Sequence, residues 1–213
     1  MLMRKFEEFY NLPLILFLHL IILFWIGLVK FLKICHNRVK LIERKMMTSK
    51  QITRIALFSA LAFVLRMAFS QLPNIQPVTA LFLVFAIFFG FYESLLIMVI
   101  TIFLTSFLLG FGPWVFWQMT IYMILISLWH FIIYPLARKW HKKGLLIQAT
   151  LAAFLALAYG VMIDSCFAYL YSMPYWSYVL IGMPFDIAHA VSTFLFYLII
   201  ITIFRRLLHD KKI

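Results

Sequence analysis

Long, almost wholly apolar stretches, separated by short polar links, run through this sequence and constrain its fold more than any other feature. Of the 213 residues, 66% are hydrophobic and only 12% are charged, whereas a soluble domain is about half apolar and about a quarter charged. Because so little polar surface cannot cover a globule in water, the apolar excess must face lipid or other protein. The apolar runs do not alternate with a period of two residues, which favours membrane-spanning helices over a β-barrel.

Seven apolar segments can be delimited, and most are close to the roughly 20 residues that a helix needs to cross a bilayer. We predict them at 12–32, 52–69, 78–90, 91–109, 115–136, 146–171 and 178–204. Only Gly90 and its neighbours separate the third segment from the fourth, so one of these two is expected to be short, tilted or broken. The predicted fold class is all-α: a polytopic membrane helix bundle with a six-helix core and one extra N-terminal hydrophobic helix.

The distribution of Lys and Arg predicts how the helices are oriented in a cell membrane. The basic clusters are 33–51, 137–145 and the C-terminal tail, and the links without Lys or Arg are 70–77, 110–114 and 172–177. With the basic links in the cytoplasm, every segment alternates correctly and the C-terminus is cytoplasmic. The net charge of +12 is therefore assigned to membrane topology and to contact with the lipid bilayer. No nucleic-acid partner is predicted.

A hydrophilic link separates the first apolar segment from the others and suggests two regions. Residues 1–47 form an extra transmembrane segment with a basic link, and residues 48–213 form a six-helix membrane domain. Because Met46 and Met47 precede a short polar run typical of a natural start, one hypothesis is that the protein begins there. A genuine extra helix, which would place the N-terminus outside, and a signal-anchor are the alternatives.

The uncharged outer links carry the side chains that suit a ligand. Two prolines keep 70–77 out of a helix, and Asn74 and Gln76 offer amide donors and acceptors there. In the helix that follows 110–113, several aromatic and amide side chains share one face. They are Trp114, Trp117, Gln118, Ile121 and Tyr122. An interfacial aromatic belt is the alternative for the tryptophans, but Gln118 favours a pocket because an amide facing lipid is costly.

Ionisable residues are few within the apolar segments, where charge is expensive and usually marks function or a partner. They are Arg66, Glu93, His130, Asp164, Asp186 and His189. Helix geometry places Arg66, Asp164 and Asp186 in one outer layer. Either an ion pair between Arg66 and a carboxylate locks the bundle, or the three line an outward pocket, and these interpretations are compatible. His189 shares a helix face with Asp186, whereas His130 is expected to be interfacial and Glu93 solvated at the cytoplasmic turn.

No catalytic residues, metal ligands or cofactor are predicted. The sequence has no phosphate-binding loop, no His-Glu-x-x-His motif and no nucleophile elbow, and too few ligands converge near His189 for a metal. Two series of small residues would allow helices to approach closely in lipid: Ala56 with Ala60, and Ala152 with Ala156 and Gly160. Packing within the bundle is the alternative for each series, although Ala56 lies near the cytoplasmic end, where a partner could reach it.

From about residue 48 to the end, the chain resembles the substrate-binding S component of an energy-coupling factor (ECF) vitamin transporter. The resemblance rests on the opening run 48–61 (TSKQITRIALFSAL), on its Ala-x-x-x-Ala pair, and on two outer motifs. These motifs are 73–80 (PNIQPVTA) after the first core helix and 110–114 (GFGPW), with Trp117-Gln118-Met119 following it. Both look most like the cobalamin-type group of S components. The extra segment 12–32 departs from the six-helix pattern of the family.

The resemblance implies a division of labour among several subunits. The S component would bind a vitamin from outside and dock through Ala56 and Ala60 on a transmembrane coupling subunit. Two cytoplasmic ATPases would then drive toppling of the S component in the membrane and release of the vitamin. Cobalamin is the favoured ligand because the two outer motifs resemble those of the cobalamin-type group. Its many amides suit Asn74, Gln76 and Gln118, although these residues would suit riboflavin or another vitamin nearly as well.

Other functions remain open at this point. The same machinery could carry pantothenate, riboflavin or a queuosine precursor. A small membrane enzyme using Asp164, Asp186 and His189 is a second class, and a ligand-free scaffold protein is a third.

Overall fold

Six helices make up the structure, a computed structural model that describes residues 47–138 and 144–209. They are α1 (Ser49–Ala68), α2 (Val78–Phe88), α3 (Phe91–Leu109), α4 (Trp114–Ala137), α5 (Gly144–Leu170) and α6 (Tyr175–His209). All regular secondary structure in these residues is helical, which confirms the predicted all-α membrane bundle. The predicted segment 12–32 lies outside the described residues.

Five of the helices are long and apolar enough to cross a membrane, and α2 is the exception. With 11 residues, α2 is only about 16 Å long, whereas the hydrocarbon core of a bilayer is about 30 Å thick. The prediction that one of the segments 78–90 and 91–109 is short is therefore confirmed. Gly90 makes the turn between them with a φ of 87°, a left-handed conformation that glycine adopts without strain.

The short helix α2 lies at the centre of the bundle. Every residue from Val78 to Ala86 is buried, and α2 packs mainly against α3 and α6. A helix with apolar side chains all round is stable where protein surrounds it. Because protein rather than lipid surrounds α2, irregular backbone can lie beyond its outer end inside the membrane, where lipid contact would forbid it.

A partly buried ion pair joins α1 to α3 at the end of the bundle that the charge pattern predicts to be cytoplasmic. Glu93, expected from the sequence to be solvated, is instead buried. Its carboxylate accepts two hydrogen bonds from Arg54, at 2.7 and 2.6 Å, and one from Gln51 at 3.2 Å. The Arg54 guanidinium also lies 5.0 Å above the ring of Phe89. This bidentate pair holds α1 against α3, so the expectation for Glu93 was wrong.

Helix α4 contains one turn of π-helix, at Trp129–Ile133. Within it, His130 Nδ1 donates a hydrogen bond of 2.9 Å to the carbonyl oxygen of Ala86 in α2. His130 was expected to be merely interfacial, but it joins two helices.

Helices α5 and α6 form a tight antiparallel hairpin in which two carboxylates lie against two glycines. A Cβ atom added at Gly160 would overlap the carboxylate of Asp186, and one added at Gly182 would overlap that of Asp164. Each helix thus contributes one acid and one glycine, at reciprocal positions. Ala152, Ala156 and Gly160 are buried in the bundle, so this series of small residues serves internal packing.

We expect Gly160→Ala and Gly182→Ala each to lower the free energy of unfolding in detergent by about 1–3 kcal/mol, because the new methyl group must displace a carboxylate or separate the helices. Denaturant titration would measure the loss. Gly144→Ala is the matched control, since its nearest new neighbour is a carbonyl oxygen at 3.9 Å. The effect of Gly160→Ala should shrink in an Asp186→Ala background; an unchanged effect there would contradict this packing.

Candidate functional site

His189 is the centre of a buried polar cluster between α2, α4 and α6. Its Nδ1 atom donates to the carbonyl oxygen of Asn74 at 2.9 Å, which leaves Nε2 of the neutral imidazole as an acceptor. Thr79 Oγ1 lies 2.9 Å from that nitrogen and 3.0 Å from the hydroxyl of Tyr122. In the neutral form, Tyr122 therefore donates to Thr79, Thr79 donates to His189, and His189 donates to the outer loop.

The outer loop 69–77, which the charge pattern predicts to be on the outer side, is tied to α6 by this cluster, while its residues 71–74 are exposed. Asn74 has a φ of 57°, a left-handed conformation that asparagine tolerates better than most residues. Pro73 and Pro77 keep the loop from continuing either neighbouring helix. His189 lies 14 positions after Tyr175, the first residue of α6, which is about 21 Å along the helix. The loop therefore meets α6 well below that helix's outer end.

Aromatic rings pack beside the polar cluster. The rings of Tyr122 and Tyr159 are stacked with centroids 4.4 Å apart, and Tyr159 lies 5.7 Å from the imidazole of His189. The edge of Phe82 meets Tyr122 at 5.3 Å. A group of this kind combines flat apolar faces with hydroxyl groups, which suits a planar or amide-bearing ligand.

Arg66 forms a hydrogen bond with an amide and not the predicted ion pair. Its Nη2 atom donates to Gln118 Oε1 at 3.2 Å. Asp164 and Asp186 lie instead in the α5–α6 interface, against the facing glycines, and each has a buried Oδ2 without a hydrogen-bond partner among the described residues. The ion-pair prediction was wrong because sequence spacing gave the depth of these residues but not their direction around each helix.

The remaining predicted residues lie in the loop 69–77 or near the start of α4. Trp114 stacks on Phe167 of α5 with centroids 6.4 Å apart, and Trp117 is partly buried against the core. Gln76 is partly buried in the outer loop. The structure thus joins Asn74, Tyr122 and His189 through Thr79. It joins Arg66 to Gln118 and leaves the two aspartates in a separate interface.

Sequence reasoning missed Thr79 and Tyr159, both of which belong to the cluster. Thr79 is the single polar residue of α2, and a lone hydroxyl in an otherwise apolar segment was the available signal. Tyr159 lies next to Gly160 in α5, and nothing in its spacing indicates the stack with Tyr122. Among the described residues, no group of three or more His, Cys, Asp or Glu side chains could hold a metal ion.

We expect Thr79→Val to lower the free energy of unfolding by about 2–3 kcal/mol, because it leaves the buried Nε2 of His189 without its donor and removes the hydrogen bond between Thr79 and the buried Tyr122 hydroxyl. Thr101→Val is the matched control: Thr101 is also fully buried, but its hydroxyl bonds only the Ile97 carbonyl of its own helix. Its replacement should cost less than about 1 kcal/mol. Equal losses in the two variants, measured by denaturant titration in detergent, would argue against the hydrogen-bonded chain.

Comparison with known proteins identifies the family. No curated protein and no solved structure matches the chain significantly. One protein family does match, over residues 50–205, and its description is "ECF transporter, substrate-specific component". The matched range takes in all six described helices apart from the first residue of α1 and the last turn of α6. The chain therefore belongs to the family of substrate-specific components of ECF transporters.

Proposed function

We propose that this protein is the S component of an ATP-driven ECF importer, that it binds a vitamin from outside, and that cobalamin is the leading ligand. One observation supports the proposal: the polar and aromatic cluster around His189 is hydrogen-bonded to the 69–77 loop, which lacks Lys and Arg and is predicted to be on the outer side. The groups of the cluster, hydroxyls, amides and stacked rings, are those that recognise amide-rich and aromatic ligands.

The chemistry of the site limits the choice of ligand without reducing it to one. Gln118, Gln76 and the backbone of Asn74 suit the amides of cobalamin, and the Tyr122–Tyr159 stack suits a flat ring system. Pantothenate, riboflavin and a queuosine precursor are the alternative ligands. The tight contact between the outer loop and His189 implies that the loop moves when a large ligand enters.

A second surface is proposed to dock on the coupling subunit. Ala56 and Ala60 are both exposed on α1, in contrast to the buried small residues of α5. Because alanine leaves room for close approach of another helix in lipid, this face suits a transmembrane partner. The Arg54–Glu93 pair lies at the inner end of the same helix and holds it in place. We also propose that the C-terminus is cytoplasmic, as the basic links predict.

The enzyme and scaffold alternatives receive less support. Both ring nitrogens of His189 are occupied by Asn74 and Thr79, and the two aspartates lie against glycines in another interface. These groups are therefore not gathered around a common reaction centre. A scaffold has no need for a hydrogen-bonded cluster beneath an outer loop.

Direct binding to the purified protein in detergent, against cobalamin, pantothenate, riboflavin and a queuosine precursor, tests the ligand. We expect cobalamin to bind most tightly, and Trp117→Ala or Gln118→Ala to weaken binding about tenfold, as loss of a buried contact does. Trp176→Ala is the control, because Trp176 is an exposed residue at the start of α6. If another vitamin binds more tightly, that vitamin and not cobalamin is the ligand. If all three variants lose affinity equally, the binding site does not include Trp117 and Gln118 specifically.

Uptake measurements test the docking surface. We expect Ala56→Trp or Ala60→Trp to reduce uptake by roughly tenfold or more while leaving vitamin binding unchanged, because a large side chain prevents close helix contact. Ile199→Trp, at an exposed position on α6, should leave uptake intact. Loss of binding in the Ala56 or Ala60 variants would instead indicate that these residues are needed for packing.

A further inference from the structure

Arg66 is a partly buried cation whose charge the described residues do not balance. Its Nε and Nη1 atoms are buried and have no hydrogen-bond partner among those residues, and its third nitrogen bonds the neutral amide of Gln118. Tyr122, Tyr159 and His189 are the titratable groups within electrostatic range of the guanidinium. None of them is an acid that ionises readily at neutral pH.

The position of Arg66 near the end of α1 does not remove the free-energy cost of burying its charge. Arg66 lies two residues before the outer end of α1, close enough for a long side chain to extend its head group towards water. The burial of Nε and Nη1 shows that the head group turns inward, towards the cluster. A guanidinium inside a membrane bundle is expensive unless an anion or several acceptors meet it.

The three acids of the described residues lie elsewhere. Asp164 and Asp186 lie against the glycines of the α5–α6 hairpin, and Glu93 pairs with Arg54 at the inner end. Among the described residues, the two free donors of Arg66 therefore face a site at which the counter-charge must come from elsewhere.

We propose that Arg66 binds an anionic group of the ligand, a carboxylate or a phosphate, beside the buried polar cluster around His189. The inference rests on the proposed function and narrows it, since the ligand must carry such a group. Nη2 has a second N–H besides the one on Gln118, and with the free donor of Nε or of Nη1 it forms a two-donor edge that matches the oxygens of a carboxylate or phosphate. Gln118 holds Nη2 and so fixes the orientation of the guanidinium.

The candidate vitamins differ in whether they carry a carboxylate or a phosphate. Pantothenate has a carboxylate, and cobalamin has a phosphodiester beside its many neutral amides. Riboflavin has neither group and is disfavoured by Arg66. Matched pairs of compounds isolate the charge: pantothenate with pantothenol, and cobinamide phosphate with cobinamide.

Thermal unfolding of the full chain in detergent, at constant ionic strength, tests the proposal with these pairs and with inorganic phosphate alone. We expect the anionic member of one pair to stabilise the wild-type protein and to bind at least tenfold more tightly than its neutral partner. That preference should disappear in Arg66→Gln. Arg205→Gln, which removes an exposed arginine at the inner end of α6, is the charge-matched control and should keep it.

The outcomes separate this inference from the vitamin-binding proposal. If phosphate stabilises the wild type but not Arg66→Gln while no vitamin binds, that result would support the anion site and would exclude the proposed vitamin ligands. Equal binding of charged and neutral partners, or a preference that survives in Arg66→Gln, would overturn the anion site while vitamin binding stands.

A variant that fails to fold is distinguished by size-exclusion chromatography, and Arg66→Lys then replaces Arg66→Gln. Lysine keeps the charge but loses the two-donor geometry. We expect it to retain part of the anion preference, with weaker binding than arginine. Full retention of affinity would show that geometry is unimportant and would overturn the directional contact.

Discussion

The length of α2 is the constraint on which the rest of the structure depends. A helix of 11 residues cannot cross the hydrocarbon layer, so it must be enclosed by the others, and five longer helices surround or flank it. Its enclosure leaves space beyond Val78 that is lined by protein and not by lipid. The outer loop occupies part of that space, and the polar side chains of the bundle converge there. A full-length second helix would have filled the same volume with apolar side chains.

Hydrogen bonds then determine how the loop is held. His189 is joined to the loop backbone and, through Thr79, to Tyr122, so one residue of α6 connects three other parts of the chain. Each of these bonds is made in a region of low dielectric constant, where an unpaired polar group is costly. Movement of the loop is therefore coupled to the hydrogen bonds of His189, since it would break the bond from His189 to the Asn74 carbonyl oxygen.

For the described residues, sequence alone was sufficient for the six core helices, for most of their limits to within a few residues, and for the existence of one short helix, because apolar length reports these directly. It also named Asn74, Tyr122 and His189 as candidate site residues, and their placement on the outer side stays a prediction. It could not show which way Asp164 and Asp186 face, because one small difference in rotation between packed helices decides whether a carboxylate meets an arginine or a glycine. The burial of Glu93 escaped prediction for a related reason: its partner Arg54 is 39 positions away in sequence.

The reciprocal contacts between Asp186 and Gly160 and between Asp164 and Gly182 have a mechanical consequence. In an antiparallel pair, sliding one helix past the other by a single turn would bring a side chain onto each carboxylate at once. The two contacts therefore set the register at two points about one turn apart, and together they oppose both translation and rotation within the pair. Helices α5 and α6 should therefore move as one rigid body. If the protein tilts in the membrane, the hairpin tilts as a unit, and any internal rearrangement takes place at its boundary with the other four helices.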